Sequence, residues 1–186
     1  QMRIIIVPLH NPDGRARVEP ESLIGLSYEE FRYWAQGRWQ TGELIGYPAC
    51  KRYQPLPLDA VEFLGGYPND AGYNIMHDVA VTGPKTTEAQ ALLALVERER
   101  PDVVLHVHSC PLGPFIIGPS HIVPDSYVDV HYSIQQRMYD AWLKRGLRPE
   151  KPSRRRRFTF NLTTACFLAG GAVSLTMEGP HGIATR

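Results

Sequence analysis

Apolar residues recur at helical spacing in two long stretches of the chain, residues 86–101 and residues 126–145. That spacing places the apolar side chains on one face, so each stretch predicts an amphipathic helix. Pro101 closes the first helix, and Gly146 is the expected stop of the second. A shorter helix is predicted over residues 27–36, because this segment opens with the Ser-x-x-Glu spacing of a capping box.

Three apolar segments predict strands: residues 3–7, which end at Pro8, residues 102–107, and residues 172–177. Residues 38–70 contain several prolines and no sustained period, so they predict a long loop. The alternation of strand, loop, helix and strand predicts an α/β fold, with a mixed, largely parallel twisted sheet flanked by helices.

Composition narrows the class of protein. The chain has 186 residues, of which 43% are hydrophobic and 21% charged, so we expect one ordinary globular domain. The net charge of +1 gives no reason to expect a nucleic-acid or membrane partner. Three cysteines without a Cys-x-x-Cys pair argue against a disulfide framework and a thiolate zinc site, and they leave the compartment open.

The only charge block is the run of four arginines at residues 154–157. We favour a solvated linker for this segment. The alternative is a site for anionic ligands or nucleic acid, against which the near-neutral net charge counts.

Two histidines near the end of the second predicted strand are candidates for metal binding. His106 and His108 are two residues apart, so in a strand both side chains face the same way, roughly 6.6 Å apart along the backbone. Open α/β sheets bind ligands at this end of their strands, and a neutral imidazole nitrogen can ligate zinc. The alternative is a pair of polar residues on a half-exposed strand end.

Glu178 follows the last predicted strand and is a candidate general base. A carboxylate at the mouth of a buried strand is partly desolvated, which raises its pKa toward the range useful for proton transfer. The alternative is a strand-end glutamate paired with an arginine. Asp13 and Gly14 lie in a predicted turn and are expected to be structural.

Five features follow one another along the chain: Asn11-Pro12-Asp13-Gly14, then Gly72-Tyr73-Asn74-Ile75-Met76-His77-Asp78, the helix opened by Thr86-Thr87-Glu88, the strand into His108-Ser109, and the strand into Glu178. In this order they resemble the zinc carboxypeptidase family, which includes the pancreatic and bacterial metallocarboxypeptidases. The resemblance covers nearly the whole chain. It implies a zinc-dependent peptidase, a hydrolase of peptide or amide bonds, of which this chain would be the C-terminal part of the catalytic domain.

The resemblance also implies individual roles. His108 matches the third zinc ligand, and His106 matches a variable position beside the ligands. Glu178 matches the glutamate that takes a proton from the zinc-bound water. The family stabilises the developing oxyanion with an arginine, for which Arg32 is the first candidate and Arg38 the second.

The sequence departs from the family in its zinc motif. A His-x-x-Glu motif ahead of the Asn-Pro-Asp-Gly turn supplies the other two ligands in the family, and residues 1–10 hold none. Residues 10–13 have the spacing of this motif, with an aspartate in place of the glutamate, but they lie inside the Asn-Pro-Asp-Gly turn itself. We therefore expect this chain alone to be inactive, and to be truncated, cleaved or part of a larger polypeptide.

A second departure concerns the substrate. The family grips the C-terminal carboxylate of its substrate with an Asn-Arg pair, and Met76-His77 stands at that position here. His77 can give one hydrogen bond but not the bidentate fork of an arginine.

Other functions remain open from the sequence. Met76-His77 favours, as the runner-up, an amidase or deacylase that acts away from a substrate C-terminus. A non-catalytic binding protein with a degenerate site is the other class. The predicted sheet would also leave an exposed edge, which invites a homo-oligomer or an upstream segment.

Overall fold

The structure, a computed structural model, describes residues 2–79 and 83–183. The helices of this part of the chain are α1 (Pro12–Arg17), α2 (Tyr28–Gln36), α3 (Tyr47–Cys50), α4 (Thr87–Glu99), α5 (Asp125–Lys144) and α6 (Leu162–Gly170). The strands are β1 (Arg38–Trp39), β2 (Val61–Phe63), β3 (Val103–Cys110), β4 (Phe115–Ile116) and β5 (Val173–Pro180). Two 3₁₀ turns span Leu58–Ala60 and Ile75–His77.

The strands form two small sheets. In the larger sheet β5 is central, parallel to β3 on one side and antiparallel to β4 on the other. In the smaller sheet β1 pairs antiparallel with β2. The predicted mixed α/β class is confirmed, and the larger sheet is mixed, with one parallel and one antiparallel pairing.

The three predicted helices are confirmed, and their ends show why they form. At the start of α2 the Ser27 hydroxyl accepts from the Glu30 amide at 3.2 Å, while the Glu30 carboxylate accepts from the Ser27 amide at 2.8 Å. At the start of α4 the Thr86 hydroxyl accepts from the Ala89 amide at 3.3 Å. These side chains satisfy amides that the first helical turn leaves without partners.

Two predictions of backbone structure are wrong. Residues 3–7 form no strand, because they have no sheet partner among the described residues, and Ile4 is 67% exposed. A β-branched composition needs a neighbouring strand to pair with before it forms a sheet. Residues 38–70 are also not one long loop, since they contain β1, α3, a 3₁₀ turn and β2.

The Asn-Pro-Asp-Gly segment begins α1 rather than forming a simple turn. Asn11 caps this helix by accepting from the Gly14 amide at 3.1 Å. Its amide nitrogen also donates to the carbonyls of Gly66, Tyr67 and Pro68 at 3.0, 3.1 and 3.2 Å. This segment therefore ties the start of the chain to residues 66–68, in agreement with the structural role expected for it.

Buried side chains gather in three clusters. One joins α4 and α6 around Ala89, Leu162 and Ala165, together with Ile75 and Val79. A second surrounds Ile45, Cys50 and Leu56, and a third lies between α5 and β5 around Val123, Tyr127 and Val128. Among the helices of residues 2–79 and 83–183, none combines the length and the apolar character that a bilayer crossing requires.

Candidate active site

His108 and Glu178 lie side by side where β3 and β5 end. The two residues are direct partners in the parallel register of these strands. Parallel strands end at the same edge of a sheet, so both side chains reach the same place. The distance between His108 Nδ1 and Glu178 Oε1 is 3.9 Å. This distance is longer than a hydrogen bond, so the two side chains do not hydrogen-bond to each other. The lone pairs of both groups therefore stay available.

The Glu178 carboxylate is largely removed from water. Its side chain is 12% exposed, and its Oε2 atom is buried without a hydrogen-bond partner in the part of the chain that the structure describes. Burial raises the pKa of Glu178, while the positive charges of Lys51 and Arg157 act in the opposite direction. A desolvated carboxylate with one oxygen unoccupied suits a proton acceptor.

His108 is held in its neutral form. Burial lowers the pKa of its imidazole, and the nearby charge of Lys51 lowers it further. Its side chain remains 35% exposed, so a small molecule or an ion can reach it. A neutral imidazole is the form that ligates metals.

His106 lies on the same side of β3 as His108, as the sequence predicts. Exposure alternates along β3, and both histidines belong to its half-buried set. His106 Nε2 lies 3.4 Å from the Ser174 hydroxyl, two residues along β5 from the His106 register partner. Burial lowers the pKa of His106 to about 4, so it is neutral near pH 7.

His77 belongs to the same group of side chains. It ends the 3₁₀ turn Ile75–His77, and burial lowers its pKa to about 4, with smaller effects from Lys51 and His108. The charges of Lys51 and His108 act on His77, so His77 lies in the neighbourhood of His108. Because His77 is neutral near pH 7, it offers an anionic substrate group a hydrogen bond without a charge.

The sequence interpretation missed Lys51. Its charge influences the pKa values of His77, His108 and Glu178, which makes it the shared neighbour of all three. Lys51 is exposed, yet its own pKa is lowered, first because surrounding protein displaces water from the ammonium.

A single helical turn positions Lys51. The Lys51 amide donates to the Tyr47 carbonyl at 3.0 Å at the end of α3. The Asn74 side chain donates to the Cys50 carbonyl at 2.9 Å, which fixes this turn against the segment that carries His77. The sequence signal available for Lys51 was the Tyr-x-x-x-Lys spacing, which matches one helical turn. This signal is short, and it is not part of a longer helical period.

Neither arginine proposed for the oxyanion interacts with this group among the described residues. Arg32 lies in α2, where it donates to the Gln36 side chain and the Ile45 carbonyl, both at 3.4 Å. Arg38 pairs with Glu62 at 2.5 Å. The cations whose charges act on Glu178 are Lys51 and Arg157.

The described residues do not by themselves fit a catalytic zinc ion, which takes three protein ligands. Within residues 2–79 and 83–183, no three His, Cys, Asp or Glu side chains are grouped as a metal site requires. His10, the histidine of the alternative spacing in residues 10–13, instead contacts the Glu88 carbonyl at 3.0 Å. His108 is thus a single imidazole donor beside a carboxylate.

Comparison with known proteins adds no relative: no family model, no curated protein and no solved structure matches this chain.

Proposed function

We propose that the protein is an amide-bond hydrolase of the zinc-carboxypeptidase type, with Glu178 as the general base. The observation that carries this proposal is the pairing of His108 with Glu178 in register at 3.9 Å, with Glu178 Oε2 buried and unoccupied among the described residues. We propose likewise that the fold is of the zinc-carboxypeptidase type. This assignment draws on the order of the sequence motifs and on the shared edge where β3 and β5 end.

Each residue of the group has a distinct task in this proposal. Glu178 accepts a proton from the attacking water and returns it to the leaving amine. Lys51 takes the role first expected of Arg32, because a cation beside Glu178 stabilises the negative charge that develops on the substrate oxygen. His108 would be one ligand of a zinc ion, whose other ligands would come from donors beyond the described residues.

A second candidate is an amidase or deacylase with the same catalytic group. It is favoured by the neutral state of His77, whose pKa burial lowers to about 4. The resemblance places this residue where a carboxypeptidase grips the substrate C-terminus with an arginine. Parallel assays of peptides with free and amidated C-termini separate the two activities, since only a carboxypeptidase requires the free carboxylate.

The experiment measures zinc content and peptide hydrolysis for this chain, with and without added polypeptide that supplies a His-x-x-Glu segment. We expect neither tight zinc nor turnover from the chain alone, and both when the segment is present. Glu178→Gln should then reduce turnover by about 10²–10⁴-fold. Tight stoichiometric zinc in this chain alone, or full turnover by the Glu178→Gln protein, would contradict the proposal.

A further inference from the structure

A recess lies between β4, α5 and residues 150–157. It encloses about 100 Å³ and is lined by the rings of Phe115, Tyr139 and Trp142. One water molecule needs only about 10–15 Å³, so a small organic group fits. Phe115 is the register partner of Glu178 across the antiparallel pair of β4 and β5. The recess therefore begins one strand away from the proposed general base.

The walls of this recess are held by buried hydrogen bonds. Gln135 of α5 is 4% exposed, and its side-chain oxygen accepts from the Ser153 amide at 3.1 Å. The Glu150 amide donates to the Pro114 carbonyl at 3.2 Å, and the Arg157 amide donates to the Pro119 carbonyl at 2.8 Å. Residues 150–157 are thus fixed at both ends, and the recess is formed before any ligand enters.

Arg157 is the residue of the arginine run that lines the recess. Its charge acts on both Glu178 and Lys51. In residues 2–79 and 83–183 its guanidinium forms no ion pair and no side-chain hydrogen bond. Two other arginines of the run differ, because Arg154 pairs with Asp129 and Arg156 pairs with Asp125.

The remaining charges in the recess leave Arg157 available. Lys151 and Glu150 also line it, and their opposite charges offset each other. A guanidinium offers two parallel donors in the geometry that a carboxylate accepts. The aromatic rings beside it provide apolar surface for the methylene groups that carry such a carboxylate.

We propose that this recess is a substrate subsite in which Arg157 binds a carboxylate on the side chain next to the scissile amide. The substrate class is then an amide adjacent to an acidic residue. This inference rests on the proposed function, because it assumes that the amide is attacked beside Glu178. Arg157 is a specificity-determining residue in this arrangement.

The test uses two ligands that differ by one charge, N-acetyl-L-glutamic acid α-amide and N-acetyl-L-glutamine α-amide. Their dissociation constants are measured on the full chain by NMR titration. We expect the glutamate ligand to bind about tenfold tighter or more, since a charged hydrogen bond stabilises that much. Arg157→Gln should abolish this preference, while Arg155→Gln, an exposed position in the same run, should retain it.

Two further outcomes separate this inference from the proposed function. Equal affinity for both ligands in the unmodified chain, or a preference that survives Arg157→Gln, overturns the subsite. Glu178→Gln should leave the glutamate preference in place while it removes hydrolysis. A preference that depends on Arg157, together with hydrolysis that does not depend on Glu178, would retain the binding site and overturn the catalytic assignment alone.

Discussion

The Lys51 ammonium lies 4.2 Å from the centroid of the Tyr47 ring, with one helical turn separating the two residues. A cation over an aromatic face is stabilised by about 0.5–1 kcal/mol at an exposed site. The interaction of Tyr47 with Tyr67 lowers the pKa of the Tyr47 hydroxyl, against the larger effect of burial, which raises it. The ring thus restrains Lys51, whose charge acts on His77, His108 and Glu178.

Replacing Lys51 by methionine tests whether this cation belongs to the candidate site. The Lys51 charge lowers the pKa of His77, so Lys51→Met should raise the pKa of His77 measured by NMR titration. Lys144→Met, at the far end of α5, is the matched control and should leave it unchanged. An unchanged His77 pKa in Lys51→Met would place Lys51 outside the site and remove it as the oxyanion-stabilising group.

Gly14 is a position where the backbone leaves no room for a side chain. A Cβ added there would lie 2.1 Å from the Gly66 carbonyl oxygen, a backbone atom that cannot move aside. We expect Gly14→Ala to lower the free energy of unfolding by about 2–4 kcal/mol, as strain at a crowded site does. The measurement is urea denaturation followed by circular dichroism.

Gly46→Ala provides the control for that substitution. A Cβ at Gly46 meets Pro48 at 3.7 Å, an ordinary contact, and its φ of −85° suits any residue. Its stability should change by less than about 0.5–1 kcal/mol, the difference between glycine and alanine at a helix N-cap. Equal losses from both variants would show that residues 11–14 do not pack against residue 66 as the structure has them.

His131 should make folding stability depend on pH. It is 1% exposed, contacts Gln135 at 2.8 Å and the Tyr127 ring at 5.9 Å, and burial lowers its pKa to about 4. Because its folded pKa lies below the unfolded value of about 6.5, its stabilisation is complete above pH 6.5. That stabilisation is lost as the pH falls from 6.5 toward 4, by roughly 2–3 kcal/mol for this one group.

Denaturation of the unmodified chain and of His131→Gln at pH 7 and pH 4.5 measures this contribution. The stability difference between the two proteins should narrow or reverse at the lower pH. A His131→Gln protein that loses stability between these pH values as steeply as the unmodified chain would contradict the buried neutral imidazole.

Local sequence signals predicted α2, α4, α5 and the two long strands, because those signals act within a few residues, whereas α1, α3 and α6 were not predicted. Ser27 and Thr86 cap their own helices, and the apolar periods define the buried faces. The strand expected over residues 3–7 does not form, because strand formation depends on a partner that local sequence does not supply. The same limit applies to sheet register, which neither β3 nor β5 specifies alone.

The candidate site was predictable only in part for the same reason. His108 and Glu178 stood out because each follows an apolar strand, but their pairing required the register of β3 with β5. Lys51 lies in a proline-rich segment, and its place depends on the distant bond from Asn74 to Cys50. Arg157 differs from Arg154 and Arg156 through tertiary partners, since Asp129 and Asp125 pair with those two.

The joint action of His108 and Glu178 is tested most directly by adding Zn²⁺ to the isotopically labelled chain and recording both side-chain signals. We expect weak binding at one site, in fast exchange, with the His108 ring and the Glu178 carboxyl responding at the same zinc concentration. His108→Asn should abolish the response of Glu178. A Glu178 response that persists in His108→Asn, or a His108 response without Glu178, would show that the two residues do not share one site.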